Sequence, residues 1–194
     1  MATVFFWGGR TAIPHSPLVD LANDAVLLAQ NARVTAEVAL LQAISHTKRA
    51  IFDSKAAVLG YGRIGKMLAR HLQALGAPVK VGARRENVRF EAQKAGFSAF
   101  LPDDPALFAD VDVVFNTIPS PIVTPRTLAA LREPTLYLEL ASAPGGLSVE
   151  GKHHPLLEVV DCGGLPGRFC PNSAGKFLAQ AVICHLGEEG EQTW

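Results

Sequence analysis

Residues 56–85 of the chain, AAVLGYGRIGKMLARHLQALGAPVKVGARR, decide the fold class. Ala56–Leu59 is a short apolar run that predicts a buried strand, and Val79–Ala83 predicts a second strand. Between them, Ile64–Leu75 has the pattern of a helix. The pattern Gly-x-Gly-x-x-Gly at residues 60–65 therefore follows a strand directly and opens a helix. In that context the pattern predicts a loop that binds a dinucleotide.

The residues of this loop have separate physical roles. Gly60 allows the tight turn out of the strand, Gly62 lets the backbone approach a pyrophosphate, and Gly65 lets the helix pack close to the sheet. The free N–H groups at the start of the helix favour the negative charge of phosphates. A tight strand–helix turn that binds nothing is the alternative interpretation. The residues predicted to contact the cofactor here are Gly60, Tyr61, Gly62, Arg63, Ile64 and Gly65.

The end of the second strand predicts which dinucleotide binds. A domain specific for NAD(H) usually places Asp or Glu there, about 20 residues past the glycines, to accept a hydrogen bond from the ribose 2′-hydroxyl. This chain has Gly82, Ala83, Arg84 and Arg85 instead. Two guanidinium groups would pair with the 2′-phosphate of NADP(H), which a carboxylate would repel. We therefore expect a preference for NADP(H), the alternative being that the two arginines are a solvated pair at a helix start.

The alternation of strands and helices continues towards the C-terminus. Short apolar runs predict four more strands, at Ser98–Leu101, Asp112–Asn116, Leu136–Leu140 and Leu157–Val160. Helices or helical turns are predicted at Glu86–Ala95, Asp103–Ala109, Pro125–Leu131 and Asn172–Leu186. Six strands that mostly alternate with helices predict an α/β fold with a doubly wound, parallel, six-stranded sheet of the Rossmann type.

Residues 1–33 differ from the rest of the chain. Thr3–Trp7 predicts one short strand, and the glycines and prolines that follow it are typical of loops. A helix is predicted from Val34 to Lys48, because apolar residues recur there at helical spacing. We therefore expect residues 1–33 to be a tail or the remnant of an N-terminal domain, and residues 34–194 to form the NADP-binding domain.

The loops after the last three strands are the expected surroundings of the nicotinamide, since ligands of this fold lie across the carboxyl ends of the strands. Asn116, Thr117 and Ser142 offer neutral hydrogen-bonding groups there, and Asn116 and Ser142 are also candidates for a catalytic role. Glu139 is either a general base or a buried structural carboxylate. Arg168 is the candidate for binding a substrate carboxylate, with an ordinary surface position as the alternative.

Composition excludes several other classes of protein. Eighteen basic side chains balance eighteen acidic ones in 194 residues, which argues against a nucleic-acid or membrane-surface binder that depends on a basic field. No apolar run approaches the roughly 20 residues of a membrane span, and the N-terminus lacks the pattern of a signal peptide. Cys162, Cys170 and Cys184 lack Cys-x-x-Cys spacing, so we expect free thiols, a cytoplasmic protein and no metal site.

Four motifs occur in order along the chain. They are the glycine loop at residues 60–65, the arginine pair at 84–85, Ala-Ser-x-Pro-Gly-Gly at 141–146 and Gly-Leu-Pro-Gly at 164–167. Together they resemble the family of dipicolinate synthase A subunits, relatives of the D-2-hydroxyacid dehydrogenases. The resemblance extends over most of the chain, from about residue 31 to about residue 186.

The resemblance implies a protein that oxidises dihydrodipicolinate to dipicolinate, a pyridine dicarboxylate, with NADP in the mother cell during spore formation. It also implies that a flavoprotein-like second subunit is its partner. The chain departs from the family pattern at Asn172, where the family usually has lysine. If that lysine meets the anionic substrate in the family, Arg168 would have to supply the charge here.

Family members are also considerably longer at the N-terminus than this chain. The part that they have in addition should cover an apolar face, so we expect this chain to form homo-oligomers. Two alternatives to the implied activity stay open. The chain is a nucleotide-binding module without activity of its own, or it is another NADP-dependent dehydrogenase of the hydroxyacid or shikimate type.

Overall fold

The computed structural model describes residues 4–6 and 18–191, and the chain divides into two compact units. The smaller unit contains Met1–Val34 and Pro166–Trp194, and the larger contains Thr35–Leu165. In chain order the strands are β1 (Val4–Phe6), β2 (Leu18–Asp20), β3 (Ala56–Leu59), β4 (Val79–Gly82), β5 (Ser98–Phe100), β6 (Val113–Asn116), β7 (Thr135–Glu139) and β8 (Leu157–Asp161). The α-helices are α1 (Ala25–Thr47), α2 (Arg63–Ala74), α3 (Glu86–Lys94), α4 (Pro105–Phe108), α5 (Pro125–Leu128), α6 (Leu165–Phe169) and α7 (Pro171–Glu191).

Six parallel strands form the sheet of the larger unit, in the order β5-β4-β3-β6-β7-β8. Ala56 pairs with Val79 on one side and with Val113 on the other, so β3 lies in the middle of the sheet. The strand order reverses between β3 and β6, and in this class of sheet the crevice for a ligand opens at such a reversal. The predicted Rossmann-type sheet is confirmed, and all six strands begin and end within one residue of their predicted positions.

The core of the larger unit depends on the alternation of side chains along the strands. Ala57 and Leu59 of β3 belong to a buried cluster that includes Leu107 and Phe108 of α4. Val58, between them, points to the opposite face of the sheet, as successive residues of a strand must. Its Cγ1 lies on the side of the sheet where Gly65 of α2 approaches. Both faces of β3 are therefore covered, which explains why this strand is apolar at every position.

Helix α2 packs through one apolar stripe. Leu68, Ala69 and Leu72 are at most 1% exposed, whereas Arg70 and Gln73 are exposed to solvent. The burial of each leucine contributes about 1.5–3 kcal/mol. This stripe holds the first turn of α2 beside the end of β3, which fixes the glycine loop between them.

The smaller unit contains the parallel strand pair β1–β2 and the beginning of α1. Asp24 caps this helix, because the Leu27 N–H donates to Asp24 Oδ1 at 2.7 Å. Leu21, Leu27 and Ala181 form a small buried cluster in the same unit. The helix therefore begins at Ala25, and the prediction that it begins at Val34 was wrong.

Other element boundaries differ less from the predictions. Strand β1 falls within the predicted Thr3–Trp7, of which the two end residues lie outside the described part of the chain. Helix α6 was predicted as loop, and β2 was not predicted. Helices α4 and α5 are shorter than expected, and α7 begins at Pro171 because proline suits the first turn of a helix.

No helix in the described part of the chain is long and apolar enough to cross a membrane. Among residues 4–6 and 18–191, no cluster of His, Cys, Asp and Glu side chains is placed to hold a metal ion. Cys162, Cys170 and Cys184 form no disulfide bond in the part of the chain that the structure describes.

Candidate functional site

The glycine loop between β3 and α2 is held by close backbone contacts. The Gly60 N–H donates to the Gly82 carbonyl at 2.8 Å, and Gly60 has a φ of +94°, which favours glycine. A Cβ on Gly60 would overlap with Thr117 Oγ1, and one on Gly65 would overlap with the Gly60 carbonyl. Glycine at both positions is therefore required by the fold itself.

Gly62 is different, because a Cβ there would have no heavy atom within 4 Å. Gly62 is the N-cap residue of α2, and it has no side chain to cap the helix. The N–H groups of the first turn, which begins with Arg63 and Ile64, have no acceptor within the helix, and the space beside Gly62, which precedes them, is open. An open space before a helix N-terminus is suited to a phosphate group.

Tyr61 lies inside the protein although it belongs to the loop. Its ring is 5% exposed and packs edge-on against Phe97, with ring centroids 6.0 Å apart. Lys66 Nζ lies 5.6 Å from the ring centroid and forms an ion pair with Glu91 at 2.6 Å. Burial raises the pKa of the Tyr61 hydroxyl. Tyr61 thus joins the start of α2 to the region of α3 and β5.

A surface cavity of about 450 Å³ opens beside the loop. The exposed residues Arg84 and Arg85 follow β4 directly and stand at this cavity. Arg89, one turn into α3, donates from Nη1 to the Ala83 carbonyl at 2.9 Å and to the Arg84 carbonyl at 2.6 Å. The residues that line the cavity are Gly60, Tyr61, Gly62, Ala83, Arg84, Arg85, Val88 and Ile118. Among these described lining residues none is acidic.

The end of β6 contacts the glycine loop directly. The Thr117 N–H and the Thr117 hydroxyl both donate to the Leu59 carbonyl at 2.8 Å. Asn116 is completely buried. Its Oδ1 accepts from the Ile118 N–H at 3.1 Å, and its Nδ2 donates to the Ile118 carbonyl at 3.0 Å. Both polar atoms of Asn116 are therefore occupied within the protein.

Glu139, at the end of β7, accepts three hydrogen bonds. Asn116 Nδ2 donates to Oε1 at 2.6 Å, the Ala141 N–H donates to Oε1 at 3.1 Å, and the Gly146 N–H donates to Oε2 at 2.7 Å. Burial raises the pKa of this carboxyl, while the three donors oppose the rise. Of the two interpretations open at the sequence level, this arrangement favours a structural carboxylate, because its acceptor positions are used to hold the following loop.

Ser142 and Arg168 are both exposed. Ser142 lies in the loop after β7, between the residues whose N–H groups bind Glu139. Arg168 is in α6 and belongs to the smaller unit, where its guanidinium carbon lies 5.6 Å from the centroid of the Phe169 ring. The larger unit thus brings together the glycine loop, the arginine pair and the residues after β6 and β7.

Some residues of this region were not predicted from the sequence, among them Arg89 and Ile118. Arg89 could have been noticed, since it lies one helical turn after Arg85 and can reach back to the start of its helix. Ile118 gave no signal, because an apolar residue after a strand is most often part of the core. Its place in the cavity depends on the conformation that Asn116 imposes on the loop.

A second cavity, of about 470 Å³, lies at the amino ends of β6 and β7, at the opposite edge of the sheet. Four of the charged or titratable side chains that line it form two pairs. Arg49 donates to Asp112 at 2.8 Å, and His46 lies 3.1 Å from Glu158. In parallel α/β sheets ligands bind at the carboxyl ends of the strands, so the cavity beside the glycine loop is the candidate site.

Comparison with known proteins identifies the class. Residues 26–138 match the family of D-isomer specific 2-hydroxyacid dehydrogenases, in its NAD binding domain. Because the match covers more than half of the chain, the protein belongs to this family. A nicotinamide dinucleotide is the cofactor of such a domain, and the residues around the glycine loop fit one.

Within this class, the chain is similar to the A subunit of dipicolinate synthase from Bacillus subtilis (strain 168). It is 37% identical over 172 residues, which are 88% of this chain and 58% of that protein. The crystal structure of the B. subtilis protein superposes with a TM-score of 0.86 at 33% identity, over 97% of this chain and 66% of the other. The corresponding protein from Bacillus halodurans superposes with a TM-score of 0.84 at 33% identity, over 94% of this chain and 66% of the other.

The predicted resemblance is therefore confirmed. The chain spans a little under two thirds of the length of these relatives.

Proposed function

We propose that the larger unit binds NADP(H), and that the chain acts as the oxidoreductase subunit of a dipicolinate synthase. The observation that carries the first part is the cavity beside the glycine loop. Arg84 and Arg85 stand at this cavity, and the described lining residues include no carboxylate. A guanidinium group favours a 2′-phosphate, whereas NAD-specific domains place an acidic residue at the end of this strand.

The glycine loop supports the position of the rest of the cofactor. Gly62 leaves open space before the first turn of α2, where the pyrophosphate would meet the helix N-terminus. Gly60, Tyr61 and Ile64 are buried or half-buried and would hold the loop, while the exposed Arg63 would stand at its rim. The nicotinamide half would extend past Ile118 towards Thr117 and Ser142.

The proposed reaction is the oxidation of dihydrodipicolinate to dipicolinate. When bound, the nicotinamide supplies the hydride acceptor for this oxidation. Loss of a hydride and a proton makes the substrate ring aromatic, so that a strong base is not demanded of the protein. This agrees with the use of Glu139 and Asn116 in internal hydrogen bonds. Ser142 is then the remaining candidate of the larger unit for contact with the substrate.

The dicarboxylate substrate needs a cationic group, and Arg168 is proposed for this role. Asn172, in the first turn of α7, is exposed and uncharged. A second, flavoprotein-like subunit, homo-oligomer formation, a role in spore formation and a cytoplasmic location complete the proposal. The second subunit and the role in spore formation rest on the family resemblance, of whose members this chain covers only part of the length. The homo-oligomer rests on the expected uncovered apolar face, and the cytoplasmic location rests on the cysteine pattern.

The cofactor is tested by titrating the chain with NADPH and with NADH while nicotinamide fluorescence is followed. We expect NADPH to bind at least tenfold more tightly, since hydrogen bonds to charged groups contribute about 1.5–3 kcal/mol each. The double variant Arg84→Ala/Arg85→Ala should bind the two cofactors alike. Arg126→Ala, at an exposed arginine of α5, is the matched control and should behave like the unaltered chain. Equal affinities of the unaltered chain for both cofactors would refute the preference.

The reaction is tested by turnover of dihydrodipicolinate with NADP⁺, in the presence and absence of the flavoprotein-like subunit. Cofactor binding without turnover in both cases would indicate a nucleotide-binding module. The departure at Asn172 favours one further comparison, with a panel of 2-hydroxy acids and shikimate-type substrates. Faster turnover of any of these than of dihydrodipicolinate would assign the chain to another NADP-dependent dehydrogenase.

A further inference from the structure

Glu139 holds both ends of the loop after β7. The Ala141 N–H and the Gly146 N–H both donate to its carboxylate, at 3.1 and 2.7 Å. Between these two anchored residues lies the exposed Ser142. The loop is therefore fixed at its two ends by one side chain, while its middle faces solvent at the carboxyl edge of the sheet.

The same carboxylate also holds the loop after β6. Glu139 Oε1 accepts from Asn116 Nδ2 at 2.6 Å, and Asn116 in turn binds both the N–H and the carbonyl of Ile118. Ile118 lines the cavity beside the glycine loop. Asn116 thus connects Glu139, which fixes the loop after β7, with Ile118, which lines the candidate site.

Further backbone contacts join the two loops. The Gly146 carbonyl accepts from the N–H groups of Ile122 and Val123, at 3.0 and 2.9 Å. A Cβ on Gly145 would lie 2.8 Å from Glu139 Oε2, and one on Gly146 would overlap with Asn116 Nδ2. The two glycines therefore leave the space that the carboxylate and the amide occupy.

We infer that Glu139, acting through Asn116 and the Gly146 N–H, is a positioning residue that sets the loops after β6 and β7 for the nicotinamide half of the cofactor. The ADP-ribose half would lie at the glycine loop and the arginine pair, to which Glu139 makes no direct hydrogen bond; its one described link to that cavity is through Asn116 and the backbone of Ile118. A change at Glu139 should therefore weaken binding of the nicotinamide half more than binding of the ADP-ribose half. This inference rests on the proposed binding of NADP(H).

The test compares two probes on the full chain, adenosine 2′,5′-bisphosphate for the ADP-ribose half and NADPH for the whole site. In Glu139→Gln an amide N–H₂ replaces one acceptor oxygen, so one of the donors is left facing another donor. We expect the Kd for NADPH to rise about tenfold, the scale of a lost charged hydrogen bond, and the Kd for adenosine 2′,5′-bisphosphate to change less than twofold. Glu150→Gln, at an exposed glutamate of the same unit, should leave both values unchanged.

A second variant and a second measurement test the inference even if Glu139→Gln does not fold. Gly145→Ala keeps the carboxylate but forces it away from the loop, and should give the same separation between the two probes. Amide hydrogen exchange should be faster at Ala141 and Gly146 in both variants, with the protection of β3 unchanged.

The possible outcomes distinguish a failure of the positioning role of Glu139 from a failure of the proposed binding of NADP(H). Equal weakening of both probes, or no weakening of either, would overturn the positioning role of Glu139. Failure of the unaltered chain to bind either probe would overturn the proposed function. If the unaltered chain binds neither probe, hydrogen exchange still tests the inference. Unchanged exchange at Ala141 and Gly146 in the two variants would then overturn it, since the loop would not depend on the carboxylate.

Discussion

At the scale of single residues, the three glycines of the loop differ in why glycine is present. Gly60 needs its positive φ, Gly65 needs room beside the Gly60 carbonyl, and Gly62 needs neither. A glycine that the fold itself does not require is a strong indication of a ligand, because the space before it is then kept for something outside the chain.

Alanine at two of these positions should therefore change different properties of the protein. Gly65→Ala is expected to lower the free energy of unfolding by roughly 1–3 kcal/mol, because its Cβ would overlap with the Gly60 carbonyl. Gly62→Ala should change stability by less than about 0.5 kcal/mol and still weaken dinucleotide binding. Urea denaturation and NADPH titration measure the two effects. A similar loss of stability in both variants would contradict this account.

A buried hydroxyl on β7 provides a second prediction. Tyr137 Oη is buried and has no hydrogen-bond partner among the described residues, and burial raises the pKa of this hydroxyl strongly. Tyr137→Phe removes an unpaired polar atom, so it should be neutral or should stabilise the protein by up to about 1 kcal/mol.

Thr135→Val on the same strand is the matched control. The buried Thr135 hydroxyl donates to the Val111 carbonyl at 3.0 Å, and its loss should cost roughly 1–3 kcal/mol. Thermal or urea unfolding of the two variants compares a paired hydroxyl with an unpaired one. A clear destabilisation by Tyr137→Phe would mean that the hydroxyl has a partner after all.

The sequence predicted some residues of the site better than others, for a physical reason. The glycine loop is recognisable because a local strand–turn–helix geometry imposes its residue types at a fixed spacing. The role of Glu139 is not local in this sense. Its partners are two backbone amides and Asn116, 23 residues away, and only the folded loop brings them together. The sequence therefore left both interpretations of Glu139 open.

At the scale of elements, strands were predicted more accurately than helices. The strands at the centre of the sheet are buried on both faces and stand out as short apolar runs. Apolar spacing indicated helix α1 but did not mark where it begins, since some of its apolar residues are exposed, among them Val26, Leu41 and Ile44. Asp24 is a favourable capping residue and so marks the N-terminus of this helix, but the glycines and prolines that precede it are typical of loops.

The cap of α1 should make stability depend on pH. The Leu27 N–H lowers the pKa of Asp24, and His185 Nε2, 3.1 Å away, lowers it further. A carboxyl group whose pKa is lowered on folding stabilises the protein above its unfolded pKa, about 3.9, and loses this contribution as pH falls through its folded pKa.

Asp24→Asn tests this, because asparagine still caps a helix but carries no charge. We expect the variant to be less stable than the unaltered chain at neutral pH, and the difference to shrink as pH falls below about 4. The control is Asp103→Asn, at an exposed aspartate. Melting temperatures from pH 7 to pH 3 provide the measurement. A difference that is constant across this range would show that the charge of Asp24 contributes nothing.

At the scale of the whole molecule, the edge strand β8 bears on the proposed self-association. β8 pairs on one side with β7 and forms one edge of the sheet, and its Val159 is 39% exposed. An edge strand with exposed apolar residues favours pairing with another chain. Light scattering should therefore detect concentration-dependent association.

Val159→Lys should reduce this association without a loss of stability, because charged residues on edge strands oppose pairing. Ser98→Lys at the opposite edge, on β5, is the control, since Ser98 is exposed and already polar. A monodisperse monomer at high concentration of the unaltered chain would contradict the proposed homo-oligomer. Equal effects of the two lysines would mean that β8 is not involved.

The position of β3 in the middle of the sheet has a consequence for synthesis on the ribosome. A nascent chain that has emerged as far as Phe100 contains β3, β4 and β5, and with them the glycine loop and the arginine pair. The other neighbour of β3 emerges later, and Glu139 and the loop that it holds emerge later still. The half of the candidate site that is proposed to bind the adenosine is thus translated before the half proposed for the reacting ring, and during this interval one edge of β3 has no partner.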